Sequence, residues 1–367
     1  MACSYCFYSG KASYFGTSTK HRMSLDVLEV MTRKSLCRPG HAMSFGWQGG
    51  EPTLMGVDFF RKAVEFQRVF GRGMQVSNSF QTNGLLIDEE WVSFLKDNNF
   101  LVGLSLDGTE HIHDHHRVTK SDRGSHQLVE KSAKALLAGG VDTNALSVVT
   151  SYSSGYASET YHYLKSLGFR YLQFIPCLEV SREHSSGKLN EFSVTPAQYG
   201  VFLCELFDLW ASDFVNGRPT TSIRLFESFA CVYLSQLAAD CSARRTCGEY
   251  LVVEHDGRIF SCDFFVNDEW LLGNVQFNEP EEILNSPQQL LFGEIKAQLH
   301  DKCLLCRWKR FCHGGCPKYR FHDSECKPLN YYCESYEILF RHADCRFRTL
   351  MENFAARHHS RAPTVQV

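Results

Sequence analysis

The distribution of cysteine along the chain is the feature that most constrains its fold. Ten of the 16 cysteines lie between Cys241 and Cys345, and two more, Cys3 and Cys6, open the sequence. A disulfide framework is typical of short secreted chains, whereas this chain has 367 residues and lacks the basic, apolar and small-residue zones of a signal peptide. We therefore expect a reducing, cytoplasmic environment, in which clustered cysteines bind metal or take part in catalysis.

The overall composition is that of a globular protein. Hydrophobic residues make up 44% of the chain and charged residues 22%, which excludes intrinsic disorder. Basic residues do not outnumber acidic ones, and the formal net charge is -3. We therefore expect neither nucleic acid nor an anionic membrane surface as a partner. No run of about 18 apolar residues occurs, so no transmembrane helix is predicted.

Short apolar strands alternate with amphipathic helices over the first 235 residues. Such alternation predicts parallel βαβ units and an α/β fold. The predicted strands cover residues 42–47, 75–81, 100–106, 145–149 and 171–175. The predicted helices cover residues 56–70, 88–98, 127–138, 158–167, 196–214 and 335–357. Residues 179–195 are predicted to form a polar insertion, and the tail after the last helix is predicted to be frayed.

The most specific pattern in the chain is a set of closely spaced cysteines near the C-terminus. It runs Cys303-x2-Cys306-x5-Cys312-x3-Cys316 and continues to Cys333. Paired Cys-x2-Cys motifs commonly hold zinc, and four thiolates also hold an iron–sulfur cluster, so the spacing alone leaves both metals open. Glycines beside these cysteines indicate a backbone that approaches a compact group.

Together with cysteines upstream, this pattern resembles the SPASM module of radical S-adenosylmethionine enzymes. The resemblance implies two auxiliary four-iron, four-sulfur ([4Fe-4S]) clusters, each held by four thiolates and therefore suited to electron transfer. It implies two ligand sets: Cys241, Cys247, Cys262 and Cys316 for the first cluster, and Cys303, Cys306, Cys312 and Cys333 for the second. Cys326 and Cys345 fall outside the pattern and are expected to be plain core or surface thiols.

The opening segment Cys3-Ser4-Tyr5-Cys6-Phe7-Tyr8 resembles the last two cysteines of the radical S-adenosylmethionine signature Cys-x3-Cys-x2-Cys. The first cysteine of that signature would lie two residues before Met1. The strand expected before this loop would also lie upstream of Met1. We expect an upstream start that supplies both; the alternative is a chain that has lost one ligand and the radical chemistry. Iron content and cofactor cleavage, compared with an upstream-extended chain, would separate the two.

The resemblance implies a partial (β/α)6 barrel, TIM-like and short of its first strand, followed by the SPASM iron–sulfur domain. Its predicted domains are residues 1–235 for the barrel, residues 236–337 for the SPASM domain and residues 338–367 for a C-terminal helix and tail. Catalysis is expected at the C-terminal ends of the barrel strands.

Further motifs resemble the S-adenosylmethionine site of the same superfamily. The resemblance implies these cofactor-binding residues: Gly49, Gly50, Glu51, Ser105, Asp107, Arg117 and Leu172. Alternatives stay open for several of them, since two glycines after a strand also make a simple turn. Arg117 could be a solvated charge, and Leu172 could be ordinary core.

Over nearly its whole length the chain resembles the anaerobic sulfatase-maturating enzymes. The motifs that carry this resemblance are Cys6-Phe7-Tyr8, Trp47-Gln48-Gly49-Gly50-Glu51-Pro52-Thr53-Leu54, Gln81-Thr82-Asn83-Gly84, Leu104-Ser105-Leu106-Asp107-Gly108, Cys262-Asp263-Phe264 and Asn330-Tyr331-Tyr332-Cys333. The resemblance implies oxidation of a cysteine or serine of a sulfatase to Cα-formylglycine. A 5′-deoxyadenosyl radical removes a Cβ hydrogen, a base takes the thiol or hydroxyl proton, and the electron leaves through the auxiliary clusters.

The resemblance implies that Asp263, directly after Cys262, is the base. A carboxylate in that position can accept a proton as the electron departs. The alternative is a turn aspartate that accepts hydrogen bonds from local backbone amides. Tyr8 and Gln48 are expected to line the same cavity, with packing beneath the cluster loop as the alternative for Tyr8.

The implied cofactors are three [4Fe-4S] clusters and S-adenosylmethionine. The implied partners are a sulfatase polypeptide and a reducing protein such as flavodoxin or ferredoxin. Two alternative functions stay open. One is a different SPASM enzyme that forms thioether or carbon–carbon crosslinks in peptides, and the other is an inactive iron–sulfur scaffold.

Overall fold

A computed structural model gives the fold of the chain. It describes residues 1–8, 10–16, 21–37, 40–180, 188–321 and 328–359. The expectations for Cys326, for part of the polar insertion (residues 181–187) and for the tail from residue 360 lie outside these described residues.

Helices and strands alternate through the first half of the chain, and further elements follow up to His359. The helices are α1 (Leu25–Leu36), α2 (Val57–Phe70), α3 (Glu89–Asp97), α4 (Glu110–Asp114), α5 (His126–Ala138), α6 (Ala157–Leu167), α7 (Pro196–Ser212), α8 (Arg224–Tyr233), α9 (Pro280–Leu284), α10 (Pro287–Ala297), α11 (Asp301–Leu304), α12 (Lys309–Cys312) and α13 (Cys333–His359). The strands are β1 (Ala42–Trp47), β2 (Gln75–Thr82), β3 (Phe100–Ser105), β4 (Thr143–Val149), β5 (Tyr171–Pro176), β6 (Phe214–Val215), β7 (Arg218–Pro219), β8 (Ser222–Ile223), β9 (Val252–Val253), β10 (Arg258–Phe260), β11 (Leu271–Asn274), β12 (Arg320–Phe321) and β13 (Leu329–Asn330). Single 3₁₀ turns occupy Ala12–Phe15, Pro52–Met55, Ser153–Gly155, Cys241–Ala243, Asp268–Trp270 and Pro317–Tyr319.

Local capping signals explain where several helices begin. The Asp88 side chain accepts a hydrogen bond from the Trp91 amide at 3.0 Å and starts α3. Thr195 and Gln198 form a capping box ahead of Pro196, which occupies the first position of α7. Each capping side chain accepts a hydrogen bond from a backbone amide that has no partner within the first turn of the helix. These helix boundaries therefore follow from the local sequence.

The largest sheet has six strands in the order β1-β2-β3-β4-β5-β8, which confirms the α/β fold class. The β1–β2, β2–β3 and β5–β8 pairs run parallel. Strand β8 was not predicted, because two residues are too few to show an alternating pattern. Strands β9, β10 and β11 form a small antiparallel sheet, and β12–β13 and β6–β7 form two-stranded ribbons.

The described chain divides into two compact units that interleave along the sequence. The first unit comprises Met1–Leu106, His113–Asn144 and Thr246–Ile295, and the second comprises Asp107–Ile112, Ala145–Arg245 and Lys296–Val367. The predicted domain boundaries, which follow the order of the sequence, stay a prediction.

The core of the first unit combines aromatic packing with a buried amide pair. The Phe60 and Phe80 ring centroids lie 5.0 Å apart, and both side chains are 1% exposed. The Gln67 and Asn78 side chains exchange two hydrogen bonds of 2.9 Å, and Trp47 Nε1 donates to Asn78 Oδ1 at 2.9 Å. This network satisfies the buried amides and fixes how α2 lies on β1 and β2.

The core of the second unit forms where α7 packs on α13. Phe207 and Phe347 stack with ring centroids 5.0 Å apart, and Trp210 and Phe226 are buried beside them. The Tyr332 hydroxyl donates to the Cys177 carbonyl at 2.7 Å, which connects the start of α13 to the end of β5. Within the part of the chain that the structure describes, no helix is both long and apolar enough to cross a membrane.

Candidate active site and cysteine sites

The loop that carries Cys3 and Cys6 is fixed by backbone hydrogen bonds. The Ala2 amide donates to the Val118 carbonyl at 2.8 Å, and the Cys6 amide donates to the Cys3 carbonyl at 3.2 Å. Arg117 is buried, at 7% exposure, and its Nη1 lies 4.0 Å from Cys3 Sγ. A guanidinium is attracted to negatively charged sulfur, so this contact suits Cys3 as a ligand of iron. The burial of Arg117 also excludes a simple solvated charge.

The turn at Gly49 and Gly50 lies next to this loop. Both residues have positive φ, +91° and +55°, which favours glycine. A Cβ atom on Gly49 would meet the Tyr8 ring at 3.1 Å, whereas a Cβ on Gly50 would have nothing within 4 Å. The backbone at Gly50 therefore faces open space, where a ligand can approach it closely.

Glu51 holds the ends of β1 and β2 together. Its Oε1 accepts hydrogen bonds from the Thr53 hydroxyl at 2.6 Å and from the Thr82 hydroxyl at 2.7 Å, and its Oε2 accepts from the Asn83 amide at 2.8 Å. The carboxylate is thus occupied by the chain itself. Its predicted role toward the cofactor stays a prediction, and the fit of a ligand at this turn depends on the open glycine backbone.

These residues border a cavity of about 730 Å³ within the first unit. Its lining includes Tyr8, Gln48, Gly49, Gly50, Glu51, Tyr250 and Glu254. A cavity of several hundred Å³ is typical of small-molecule and cofactor sites. The structure therefore brings together the residues that the sequence assigned to one end of β1 and to the opening loop.

Asp263 is 9% exposed and accepts hydrogen bonds from two residues that line the cavity. Its Oδ2 accepts a hydrogen bond from Gln48 Nε2 at 3.1 Å, and its Oδ1 accepts one from the Tyr250 hydroxyl at 3.1 Å. The Cys262 thiol lies 3.3 Å from Oδ1. Both carboxylate oxygens are therefore oriented by side chains, at a position directly beside a predicted cluster ligand.

The protonation of two groups near Asp263 follows from burial. Burial, and then the negative charge of Asp263, raise the pKa of Tyr8, so its hydroxyl stays protonated at neutral pH. Burial also raises the pKa of Glu254, although the nearby Lys11 ammonium opposes the shift. The Lys11 ammonium lies 4.5 Å from the centre of the Tyr8 ring.

Three other predicted cofactor residues are buried in the sheet region. Ser105, at the end of β3, belongs to the first unit and is 8% exposed. Asp107 and Leu172 belong to the second unit, where Asp107 Oδ1 accepts a hydrogen bond from the Val148 amide at 3.0 Å. Leu172 is 2% exposed and lies on β5. Their roles toward S-adenosylmethionine stay predictions.

The predicted second ligand set converges in the second unit. One narrow pocket is lined by Cys303, Cys306, Cys312 and Cys333 together with Gly314 and Gly315. The Trp308 amide donates to Cys306 Sγ at 3.4 Å. Burial raises the pKa of Cys312 to about 12 and that of Cys333 to about 11, so these thiols keep their protons until a metal displaces them.

Gly314 and Gly315 line this pocket, and neighbouring side chains occupy the space where a Cβ atom of either would lie. A Cβ atom on Gly315 would lie 1.8 Å from Asn330 Nδ2, and one on Gly314 would lie 2.6 Å from Arg320 Nη2. Among the described residues, no three His, Cys, Asp or Glu side chains are arranged as ligands of a single metal ion. The fit of the four cysteines to a cluster therefore rests on their shared pocket and on this glycine cradle.

The predicted first ligand set divides between the two units. Cys247 and Cys262 lie in the first unit, in a hydrophobic cluster with Trp270 and Phe292. Cys241 and Cys316 belong to the second unit, where Cys241 is exposed and Cys316 is half-buried. The ligation of one cluster by these four cysteines stays a prediction.

Two residues that line the cavity were missed by sequence reasoning. Tyr250 lies in an irregular segment and reaches Asp263 only through tertiary contacts. Lys11 lies in a loop and contacts the Phe7 and Tyr8 rings. The proximity of Lys11 to the opening cysteine motif is the one sequence signal that could have indicated its position.

Comparison with known families identifies two regions of the chain. The radical SAM superfamily matches residues 1–166, and the SPASM iron–sulfur cluster-binding domain matches residues 241–307. The chain is 38% identical over 355 residues to a cysteine-type anaerobic sulfatase-maturating enzyme of Clostridium perfringens, covering 96% of this chain and 95% of the relative. It is 34% identical over 358 residues to a serine-type enzyme of Bacteroides thetaiotaomicron, covering 93% and 86%.

Solved structures show the same relationship. The structure of native anSMEcpe with bound AdoMet and the Cp18Cys peptide superposes with a TM-score of 0.88 at 37% identity, covering 96% of each chain. The structure of Streptococcus suis SuiB bound to S-adenosylmethionine has a TM-score of 0.59 at 17% identity, covering 89% of this chain and 74% of that one. The second similarity shows a shared fold alone.

Proposed function

Because the chain belongs to the anaerobic sulfatase-maturating enzymes of the radical S-adenosylmethionine superfamily, we propose that it oxidises a cysteine or serine of a sulfatase polypeptide to Cα-formylglycine. The observation that carries the proposal is the Asp263 carboxylate, which lies beside Cys262 and is hydrogen-bonded to cavity-lining Gln48 and Tyr250. Cysteine-type and serine-type relatives are of similar identity, so the proposal covers both target residues.

The proposed cofactors are three [4Fe-4S] clusters and S-adenosylmethionine. Cys3 and Cys6 would hold the radical-generating cluster beside Arg117, and the open backbone at Gly50 would receive S-adenosylmethionine. Cys303, Cys306, Cys312 and Cys333 would hold one auxiliary cluster, and Cys241, Cys247, Cys262 and Cys316 would hold the other. When bound, these groups supply a carbon radical and an acceptor for one electron.

The oxidation requires the loss of a hydrogen atom, a proton and an electron from the target residue. For cysteine, loss of a Cβ hydrogen atom, the thiol proton and one electron leaves a thioaldehyde, which water converts to the aldehyde and hydrogen sulfide. For serine, the same losses give the aldehyde directly. Asp263 accepts the thiol or hydroxyl proton, and Gln48 orients the carboxylate through Oδ2.

Burial gives Tyr8 a supporting role in this cavity. Tyr8 keeps its hydroxyl proton because burial and the charge of Asp263 raise its pKa. Its ring also packs against Gly49, where a Cβ atom would lie only 3.1 Å from the ring. Tyr8 therefore shapes the wall beside the cofactor turn and leaves Asp263 as the group that takes the proton.

The proposal extends to a sulfatase polypeptide as substrate and to a reducing protein such as flavodoxin or ferredoxin as electron donor. The need for a low-potential electron in each cofactor cleavage supports the second partner. We place the enzyme in the cytoplasm, because the many thiols require a reducing compartment.

The decisive experiment compares the Asp263→Asn variant with the unmodified enzyme, both after anaerobic reconstitution. The two assays are 5′-deoxyadenosine by chromatography and formylglycine in cysteine and serine sulfatase peptides by mass spectrometry. We expect Asp263→Asn to keep 5′-deoxyadenosine formation within about twofold and to lower formylglycine at least about 100-fold, since a general base contributes that much.

Asp256→Asn is the matched control, because Asp256 is an exposed turn aspartate that bonds Arg258 instead of the site. It should leave both products unchanged. Unchanged formylglycine in Asp263→Asn would refute the assigned base. Cofactor cleavage by the unmodified enzyme without oxidation of either peptide would overturn the proposed function.

A further inference from the structure

Tyr250 occupies a position that no sequence pattern indicated. It lies between Gly248 and β9, and its side chain lines the cavity of the first unit. Gln289 is 1% exposed, and its Nε2 donates to the Gly248 carbonyl at 3.0 Å and to the Tyr250 carbonyl at 3.2 Å. The backbone that carries the Tyr250 ring is therefore fixed to the body of the unit through α10.

The Tyr250 hydroxyl faces two acceptors at once. It lies 3.1 Å from Asp263 Oδ1 and 3.3 Å from Cys262 Sγ. A phenol has one proton to donate, so its hydrogen bond is shared between the carboxylate and the sulfur. The contact joins the proposed base to a predicted cluster ligand through one side chain.

The geometry of Asp263 depends on this contact. Gln48 holds Oδ2, and Tyr250 holds Oδ1, so the two donors together fix the rotation of the carboxylate about its Cβ–Cγ bond. Once Cys262 ligates iron as a thiolate it has no S–H proton, and its own contact with Oδ1 no longer contributes a hydrogen bond. Tyr250 then carries the orientation of Oδ1.

We propose that Tyr250 is a positioning residue that sets the orientation of Asp263 and donates a hydrogen bond to the Cys262 sulfur of the neighbouring auxiliary cluster. This inference rests on the proposed function for the role of Asp263, but the contact with sulfur stands apart from it. Hydrogen bonds to cluster sulfurs stabilise the reduced state and raise the reduction potential. Tyr250 thereby acts on both the proton acceptor and the electron acceptor of one oxidation.

The test is Tyr250→Phe, which removes the hydroxyl and keeps the ring. The Tyr250 side chain is 43% exposed, so we expect the variant to fold. Tyr14→Phe is the matched control, since Tyr14 also donates to an aspartate, Asp268 at 2.5 Å, within the same unit. Iron content and thermal unfolding of both variants establish that they are folded and loaded.

Three measurements then separate positioning from a structural role. We expect the ratio of 5′-deoxyadenosine to formylglycine to rise about tenfold in Tyr250→Phe, because loss of a hydrogen bond to a charged group has an effect of that size. The KM for the peptide should stay unchanged. In a substrate-free redox titration followed by electron paramagnetic resonance, the potential of one auxiliary cluster should fall. Tyr14→Phe should match the unmodified enzyme throughout.

A further measurement, on the unmodified enzyme, keeps the test decisive if the Tyr250→Phe variant binds too little iron. In the unmodified enzyme prepared in D2O, pulsed electron paramagnetic resonance should detect an exchangeable deuteron coupled to the cluster. A missing deuteron, or a Tyr250→Phe enzyme with an unchanged product ratio and unchanged potential, would overturn the inference. If the enzyme oxidises neither peptide while the potential still falls in the variant, the proposed function fails and the contact between Tyr250 and the cluster ligand stands.

Discussion

The cavity of the first unit and the cysteine pocket of the second unit differ in how much space they leave. A Cβ on Gly50 would meet nothing within 4 Å, and the cavity beside it measures about 730 Å³. In the other pocket, a Cβ on Gly315 would overlap Asn330 at 1.8 Å. An open wall suits a small molecule and a peptide that come and go with each turnover. A pocket whose glycine backbone is packed tightly against neighbouring side chains suits a group that is inserted once and retained.

The largest effect on stability is expected from adding a Cβ atom at Gly315, and this change tests the comparison most directly. Gly315→Ala should lower the free energy of unfolding by about 3 kcal/mol or more, since it adds a steric clash to backbone strain at a φ of +67°. Asn330 cannot easily move away, because its Oδ1 accepts a hydrogen bond from the Tyr332 amide at 2.7 Å. Denaturant unfolding under anaerobic conditions measures the change.

Gly50→Ala is the matched variant in the first unit. Its φ of +55° carries strain but no clash, so it should lower the free energy of unfolding by only about 1 kcal/mol. Equal losses in the two variants would contradict the difference in packing between the two sites.

The second prediction compares the iron content of two variants, each of which lacks one buried thiol. Burial raises the pKa of both Cys312 and Cys177 to about 12, but only Cys312 lines the cysteine pocket. Cys312→Ala should reduce the iron content by up to about four atoms per chain, since one [4Fe-4S] cluster loses a ligand. Cys177→Ala should retain the iron content of the unmodified protein. Iron and sulfide analysis after reconstitution measures both, and equal iron in the two variants would refute the assigned pocket.

The smallest expected effect compares two carboxylates of the cavity in the first unit. Glu51→Gln should lower the free energy of unfolding by about 1 to 2 kcal/mol, because it weakens the hydrogen bonds to the Thr82 hydroxyl and the Asn83 amide. Glu254→Gln should instead raise the free energy of unfolding at pH 7, by less than the change expected for Glu51→Gln. Burial disfavours the Glu254 carboxylate and raises its pKa in the folded state.

The pH dependence checks the sign of the second change. An acid whose pKa is raised on folding destabilises the folded state above that pKa and has no effect below its ordinary value, where both states are protonated. The gain from Glu254→Gln should therefore disappear as the pH falls below about 4.5. Unfolding measured between pH 7 and pH 4 tests this. A gain that grows on acidification would contradict the burial argument.

Sequence reasoning located the five longest strands and several of the longer helices. The strands β1 to β5 and the helices α2, α3 and α5 to α7 appear where the apolar period predicted them, within about two residues. Helix α1 was missed, although Ser24 caps it by accepting a hydrogen bond from the Val27 amide at 3.2 Å. The two-residue strand β8 was also missed, because so short a segment joins the sheet through pairing alone.

The candidate site was predictable only in part. The spacing of Cys303, Cys306 and Cys312 indicated a shared group, and one pocket of the second unit collects them with Cys333. The role assigned to Asp263 came from its neighbour Cys262 and stays a prediction. Tyr250 had no signal, since the contact of its hydroxyl with Asp263 depends on how an irregular segment lies in space.

The sequence by itself determined the α/β class, the alternation of strands and helices, and a cysteine pattern that indicated a metal site, for which the family resemblance implied iron–sulfur clusters. These features depend on short-range periodicity and spacing, which one stretch of chain contains in full. Only the tertiary structure decided that the described chain divides into interleaved units, that Gln48 reaches Asp263 across 215 positions of sequence, and that Gly315 has no room for a side chain. Such contacts arise when distant segments pack to bury apolar surface, and that packing has no local sequence signal.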